Sequence, residues 1–258
     1  MKPTNKFIIL AVMSILLLAG CSSGSGTEER MIRHTIFIGI DASASFVKSP
    51  YYEDSLKFIS YYIYGHIHGL GGLKQPKALF VATIGGFLSN EPKSFRPMDD
   101  FESKSVEQIE QDLKGWIGPK ETITDFDVFF EKVKELIQKR NLILAPVDIV
   151  ILSDGEPAKF TKTGKVKDVP VKTIDITPLE YLARNITIRL LYASPVISDE
   201  WEKQIPRKRT RIWTADNGVM NGWKEKLKEN AQPEEQMVLW KWVEDNVDFR
   251  VRYRPFQK

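Results

Sequence analysis

Residues 147–152 read Val-Asp-Ile-Val-Ile-Leu, a β-branched apolar run bounded by Pro146 and Gly155. A run this short, with almost no polar alternation, is the pattern of a strand buried on both faces. Such strands belong to parallel sheets covered by helices. From about residue 31 the chain keeps alternating short apolar runs with longer amphipathic ones, which implies an α/β architecture. Strands are expected near 34–40, 78–84, 147–152, 186–192 and 210–214. Helices are expected near 51–67, 105–116, 125–140, 176–184, 218–229 and 233–245, the last of these rich in Trp. The segment 87–97 (F-L-S-N-E-P-K-S-F-R-P) reads as a turn and a short edge strand, because its prolines bar it from a central position. Residues 157–174 form a long basic loop or hairpin, and 247–253 alternate like a terminal strand.

Three oxygen-rich segments fall beside these elements. Asp41-Ala42-Ser43-Ala44-Ser45 follows the first strand, and Ser153-Asp154-Gly155-Glu156 follows the run at 147–152. Thr124-Asp125-Phe126 opens an amphipathic stretch in which Phe126, Phe129, Phe130 and Val133 recur at helical spacing, so Thr124 is expected at the helix N-cap. Open α/β sheets place their sites outside the carboxyl ends of the strands. The donors are carboxylates and hydroxyls, which suit hard cations such as Mg²⁺. The plainer reading is that these Ser and Asp side chains cap adjacent helices and turns.

At these residues the chain resembles the von Willebrand factor A (vWA) domain and its metal-ion-dependent adhesion site. That family carries D-x-S-x-S after its first strand, a threonine in a later loop, and an aspartate after its fourth strand. The resemblance implies a Rossmann-like, doubly wound, mostly parallel six-stranded sheet with one antiparallel edge strand. It also implies a Mg²⁺ or Mn²⁺ site. There Ser43, Ser45 and Thr124 bind the ion through hydroxyls, with Asp41 and Asp154 close by, directly or through water. A partner protein's Asp or Glu carboxylate completes the coordination. The family's usual G-G-T text is replaced by Gly118-Pro119-Lys120-Glu121-Thr122-Ile123-Thr124, so Thr122 competes with Thr124. Thr124 fits better, because T-D-F matches the family's helix start.

The first twenty residues have a different character. Lys2 and Lys6 precede an apolar run from Phe7 to Leu18 that ends in Leu18-Ala19-Gly20-Cys21. This is the layout of a secretory signal. The L-A-G-C string resembles the lipobox of bacterial lipoproteins, which implies cleavage before Cys21 and its acylation. Cys21 is the chain's only cysteine, so it has no partner for a disulfide. The expected organisation is a signal at 1–20, a Ser/Gly-rich tether at 21–30, the vWA-like domain at 31–246, and a C-terminal strand or tail at 247–258. The protein is then expected to be lipid-anchored at the cell membrane or outer membrane, with its domain outside the cytoplasm. Processing removes two lysines, leaving 35 basic residues from 37 against 34 acids. A near-neutral chain argues against a nucleic-acid partner.

Other clusters have simple readings. His66 and His68 lie near a helix end, where residues two apart do not share a face, so carbonyl capping is expected rather than zinc. The basic clusters at 206–211 and Arg250, Arg252 and Arg254 read as solvated loops or headgroup contacts. Trp213, Trp223, Trp240 and Trp242 are expected to pack the last helices onto the sheet. No catalytic motif is present, so the expected role is metal-dependent protein binding and not enzymatic turnover. Two alternatives stand: a metal-free structural component of the envelope, or a metal-assisted hydrolase with a base in the 157–174 loop.

Overall fold

A computed structural model describes residues 34–84, 95–117, 123–143, 145–161, 165–182 and 185–249. In chain order the strands are β1 (Thr35–Asp41), β2 (Ala78–Ile84), β3 (Arg96–Pro97), β4 (Val147–Leu152), β5 (Ala158–Phe160), β6 (Val166–Asp168), β7 (Ile186–Leu191) and β8 (Arg211–Ala215). The α-helices are α1 (Ala44–Val47), α2 (Tyr52–His68), α3 (Val106–Trp116), α4 (Phe126–Lys139), α5 (Thr177–Glu180), α6 (Pro195–Gln204), α7 (Asn217–Met220) and α8 (Met237–Asn246). Six strands form one sheet in the order β3-β2-β1-β4-β7-β8, and β5 and β6 form a separate hairpin. All pairings in the main sheet are parallel except that of β3 with β2. The fold is therefore an α/β, doubly wound, mostly parallel six-stranded sheet with one antiparallel edge strand.

Alternation along the buried strands divides the core in two. Ile36, Ile38 and Ile40 of β1 join Val150 and Leu152 of β4 under α2, α3 and α8. Phe37, Ile149 and Ile151 face the other way, against Phe126, Phe129, Phe130, Val133 and Ile137 of α4 and Trp201 of α6. Side chains of successive strand residues point to opposite faces, so a strand covered on both sides must be apolar throughout. Gly39 lets α4 approach closely, since a Cβ there would lie 2.7 Å from the Phe129 ring. Trp223 and Trp240 are fully buried on the α2 side, with Trp242 packed beside them.

Several elements differ from the sequence reading. Among the described residues of the helix expected at 176–184, only α5 is helical, because Glu180 turns inward and accepts hydrogen bonds from the amides of Lys208, Arg209 and Thr210. That same contact pins the basic loop at 206–211. The helix expected at 218–229 stops at Met220, where Asn221-Gly222 ends it and Trp223 reaches Asp54. Helix α6 was not anticipated. Its start is marked by Ser194, which caps the Ile197 amide, and by Pro195 in the first turn, but it buries only Ser198 and Trp201. The basic segment at 157–174 holds the β5–β6 hairpin and a short 3-10 turn at Val171–Thr173.

The C-terminal strand expected from 247 is absent at 247–249, where Val247 ends α8 and Asp248 turns inward. The remainder of that strand, Arg250, Arg252 and Arg254 among it, lies outside the described residues, as do the expected signal at 1–20, Cys21 and the tether. Among the described residues no helix is long and apolar enough to cross a membrane.

Candidate metal centre at the sheet rim

The chain leaves β1 and β4 at the same rim, and these neighbouring strands stand where the strand order reverses. A doubly wound sheet opens a crevice at that point. Asp41 is the last residue of β1 and is fully buried. Its Oδ1 accepts the Ser43 amide at 2.8 Å, which turns the chain sharply out of the strand. Ser43 then caps α1, its hydroxyl accepting the Phe46 amide at 3.4 Å. That turn sets the Ser43 and Ser45 hydroxyls 3.1 Å apart, with Ser43 buried and Ser45 exposed.

Thr124 arrives from the far side of the sequence. Its hydroxyl lies 3.3 Å and 3.4 Å from the two Asp41 oxygens, and the residue is buried. It is not the helix cap that the sequence suggested: Asp125 caps α4 by accepting the Val128 amide. The shift by one residue leaves the threonine hydroxyl free to turn toward Asp41. Thr122 lies outside the described residues. The Thr124 loop is braced by the hairpin, since the Ala158 amide donates to the Thr124 carbonyl at 3.0 Å. Lys159 also pairs with Asp127 on α4.

Ser153, directly after β4, opens the third oxygen-rich segment and supplies a contact although it was not among the expected ligands. Its hydroxyl donates to Asp41 Oδ2 at 2.5 Å while accepting the Gly155 amide at 2.9 Å. The only hint was its place directly before Asp154 at a strand end. Asp154 itself is half-buried, and its Oδ1 accepts the Glu156 amide at 3.1 Å. Gly155 holds φ +78°, and a Cβ there would crowd Ile197, Leu190 and Trp201. Its carbonyl accepts the Trp201 indole N–H at 2.8 Å. The turn carrying Asp154 is thus locked by α6.

Charge at this rim is unbalanced. Burial first, and repulsion from Asp154 second, push the Asp41 carboxyl up to about 7, against hydrogen bonds from Ser153 and Ser43 that favour the anion. Burial and the Asp154 charge also raise Glu156 above its ordinary range. Among the described residues no ion pair reaches Asp41 or Asp154. Neither is there any group of three or more His, Cys, Asp and Glu suited to a metal, so hydroxyls would have to complete a donor set here.

The residues fit a small hard cation. Ligands cis on an octahedral Mg²⁺ at about 2.0–2.1 Å stand about 2.9 Å apart, close to the Ser43–Ser45 hydroxyl spacing. His66 and His68 do not form a metal pair. His66 Nδ1 contacts the Lys74 carbonyl at 3.0 Å, and the His68 ring packs against Tyr64.

No protein-family model matches the chain, and no curated protein sequence matches it. Structural likeness is remote. The pilus adhesin SpaC from Lactobacillus rhamnosus GG is 9% identical with a TM-score of 0.42, over 74% of this chain and 29% of the adhesin. Proximal thread matrix protein 1 from the mussel byssus, with a zinc-occupied MIDAS motif, is 11% identical with a TM-score of 0.37, over 81% of this chain and 46% of that one. The SpRpn10 VWA domain is 10% identical with a TM-score of 0.40, over 79% and 93%. This chain spans less than half the length of the first two. Likeness at this level assigns no function, and the fold stands on its own strand order.

Proposed function

We propose that this rim holds a divalent cation, Mg²⁺ or Mn²⁺, and uses it to bind another protein through an Asp or Glu carboxylate. Ser43, Ser45 and Thr124 would hold the ion through their hydroxyls, with Asp41 and Asp154 supplying the negative charge. The observation that carries this reading is the convergence of the β1 and Thr124 loops on one buried aspartate, beside two hydroxyls 3.1 Å apart. The donors run from a fully buried carboxylate to the exposed Ser45, so the set has a side open to a partner. Ligands that are mostly neutral leave a bound cation its attraction for a further carboxylate.

The role is binding without turnover, at a cell envelope to which an acylated Cys21 would tether the domain. The sequence pattern at 18–21 supports that anchor. Its test is mass spectrometry of the protein purified from a bacterial membrane fraction. Acyl chains are expected on Cys21, with Cys21→Ser moving the protein to the soluble fraction. An unmodified membrane-free wild type contradicts the anchor.

A metal-free reading rests on one specific observation: Asp41 already has three donors, from Ser43, Thr124 and Ser153. Thermal melting of residues 31–258 separates the two. A cation at about one hundred times its Kd adds about 2.7 kcal/mol, or roughly 5–10 °C for a domain of this size. Mg²⁺ or Mn²⁺ is expected to raise the melting temperature by that amount, and Asp41→Ala to abolish the rise. No rise with either ion in the wild type establishes the metal-free reading. Sustained hydrolysis of ester, peptide or phosphate substrates contradicts a pure binding role.

A further inference from the structure

The opposite rim of the sheet carries a second charge cluster that the proposed function does not use. His34 precedes β1, Asp148 is the second residue of β4, and Arg189 is the fourth of β7. They line a cavity of about 370 Å³ together with His66, Lys74 and Asp248. Asp248 lies just past α8 and points inward. One of its oxygens is 2.9 Å from His66 Nε2, and the other accepts the Tyr62 hydroxyl at 2.8 Å.

Arg189, only 2% exposed, is turned toward the same segment. Its Nη1 donates to the carbonyls of Val247 and Phe249, and its Nη2 to that of Asp248. Three successive carbonyls thus converge on one buried guanidinium, and the Phe249 ring packs 5.1 Å from Trp213.

The groups facing His66 can be named from each side. Tyr62 comes from its own helix, the Lys74 carbonyl from the following loop, Asp148 from β4, Arg189 from β7 and Asp248 from the C-terminal segment. Asp148 is itself paired with His34. Glu244 and Asp245 of α8 line the same cavity, and Lys241 pairs with both. Arg189 reaches the Asp148 and Asp248 carboxylates only at 3.8 Å and 3.9 Å. Asp248 therefore depends on His66 for its close cationic partner.

We propose that His66, Asp248 and Arg189 form a pH-gated latch. It holds residues 247–249 against this rim while the imidazole is charged, and releases them when the imidazole is neutral. Burial alone would depress His66, but the Asp248 carboxylate 2.9 Å away and the Lys74 carbonyl outweigh it, holding the imidazole above its ordinary 6.5. Burial would likewise raise Asp248, but His66 and Arg189 hold it below its ordinary 3.8. The stabilisation from His66 is complete below 6.5 and disappears as pH rises through its higher folded value. That from Asp248 is complete above 3.8 and disappears as pH falls through its lower folded value. The latch is closed between these two ordinary values and opens on the alkaline side.

Hydrogen–deuterium exchange of the full chain, corrected for intrinsic rates, tests this from about pH 5.5 to about pH 8.5. The readout is the amides of Val247 and Asp248, both bonded to the Val243 carbonyl at 2.9 Å. Their protection is expected to fall about tenfold for each unit by which the folded His66 value exceeds its ordinary one. The amides of β4 should stay unchanged. His66→Gln and Asp248→Asn should each flatten the pH profile. If neither variant folds, the wild type decides: a midpoint that coincides with the His66 titration seen by NMR supports the latch. Protection that does not change with pH, a midpoint away from that titration, or an unaltered profile in the folded variants overturns it.

Discussion

Asp41 sits at the end of a strand with no exposed residue, and three hydroxyl- or amide-bearing neighbours converge on its carboxylate. Ser153 makes the shortest of these contacts without being one of the proposed ligands, so its effect on a cation would run through Asp41. Groups that orient a ligand from behind typically contribute tenfold or more to metal affinity. Ser153→Ala is therefore expected to weaken Mg²⁺ binding about tenfold by isothermal titration calorimetry, while the protein keeps its fold. An unchanged affinity would show that Asp41 needs no such support. Asp41, Ser43, Ser45 and Asp154 were legible because short polar strings followed unmistakable strands. Ser153 was not, because a serine at a strand end has the same local pattern whether its hydroxyl meets water or a buried carboxylate.

At the level of elements, the sheet strands and the long helices α2, α3 and α4 follow directly from hydrophobic period. α3 also has a reciprocal cap: Ser105 accepts the Gln108 amide, and the Gln108 side chain accepts the Ser105 amide. Removing that cap by Ser105→Ala is expected to lower stability by about 1 kcal/mol, read as a shift of the urea midpoint at constant slope. The short elements were harder to read for a physical reason. α5 and α7 end where single side chains, Glu180 and Trp223, find partners 28 or more residues away in sequence, Lys208 and Asp54. Local pattern holds no record of such contacts. α6 was missed because its buried face is little more than Trp201, too narrow a stripe to register as periodic, although its Ser-Pro start was visible. The placement of Thr124 erred by one position, since Thr and Asp are both good caps and only tertiary context chose Asp125.

Taken as a whole, the molecule puts a carboxylate–hydroxyl cluster at one rim of its sheet and a histidine–aspartate–arginine cluster at the other. Strand order, and therefore the crevice beside Asp41, depends on pairings far apart in sequence, such as Thr35 with Val147. Single-sequence patterning does not specify such pairings; here the resemblance of the site motif did.

β1 links the two rims, from His34 just before it to Asp41 at its end. At about 3.3 Å per residue its seven residues span roughly 23 Å, well beyond the roughly 7–10 Å within which substitutions usually couple. The strand is thus a spacer that insulates one end from the other. Free-energy changes from Ser153→Ala and His66→Gln should then sum in the double variant to within about 0.5 kcal/mol, as denaturation of the wild type and the three variants would show. A larger discrepancy would mean that the sheet transmits between its ends. If the sum holds, cation affinity at one end and proton response at the other can drift or be engineered separately, two dials on a single rigid frame.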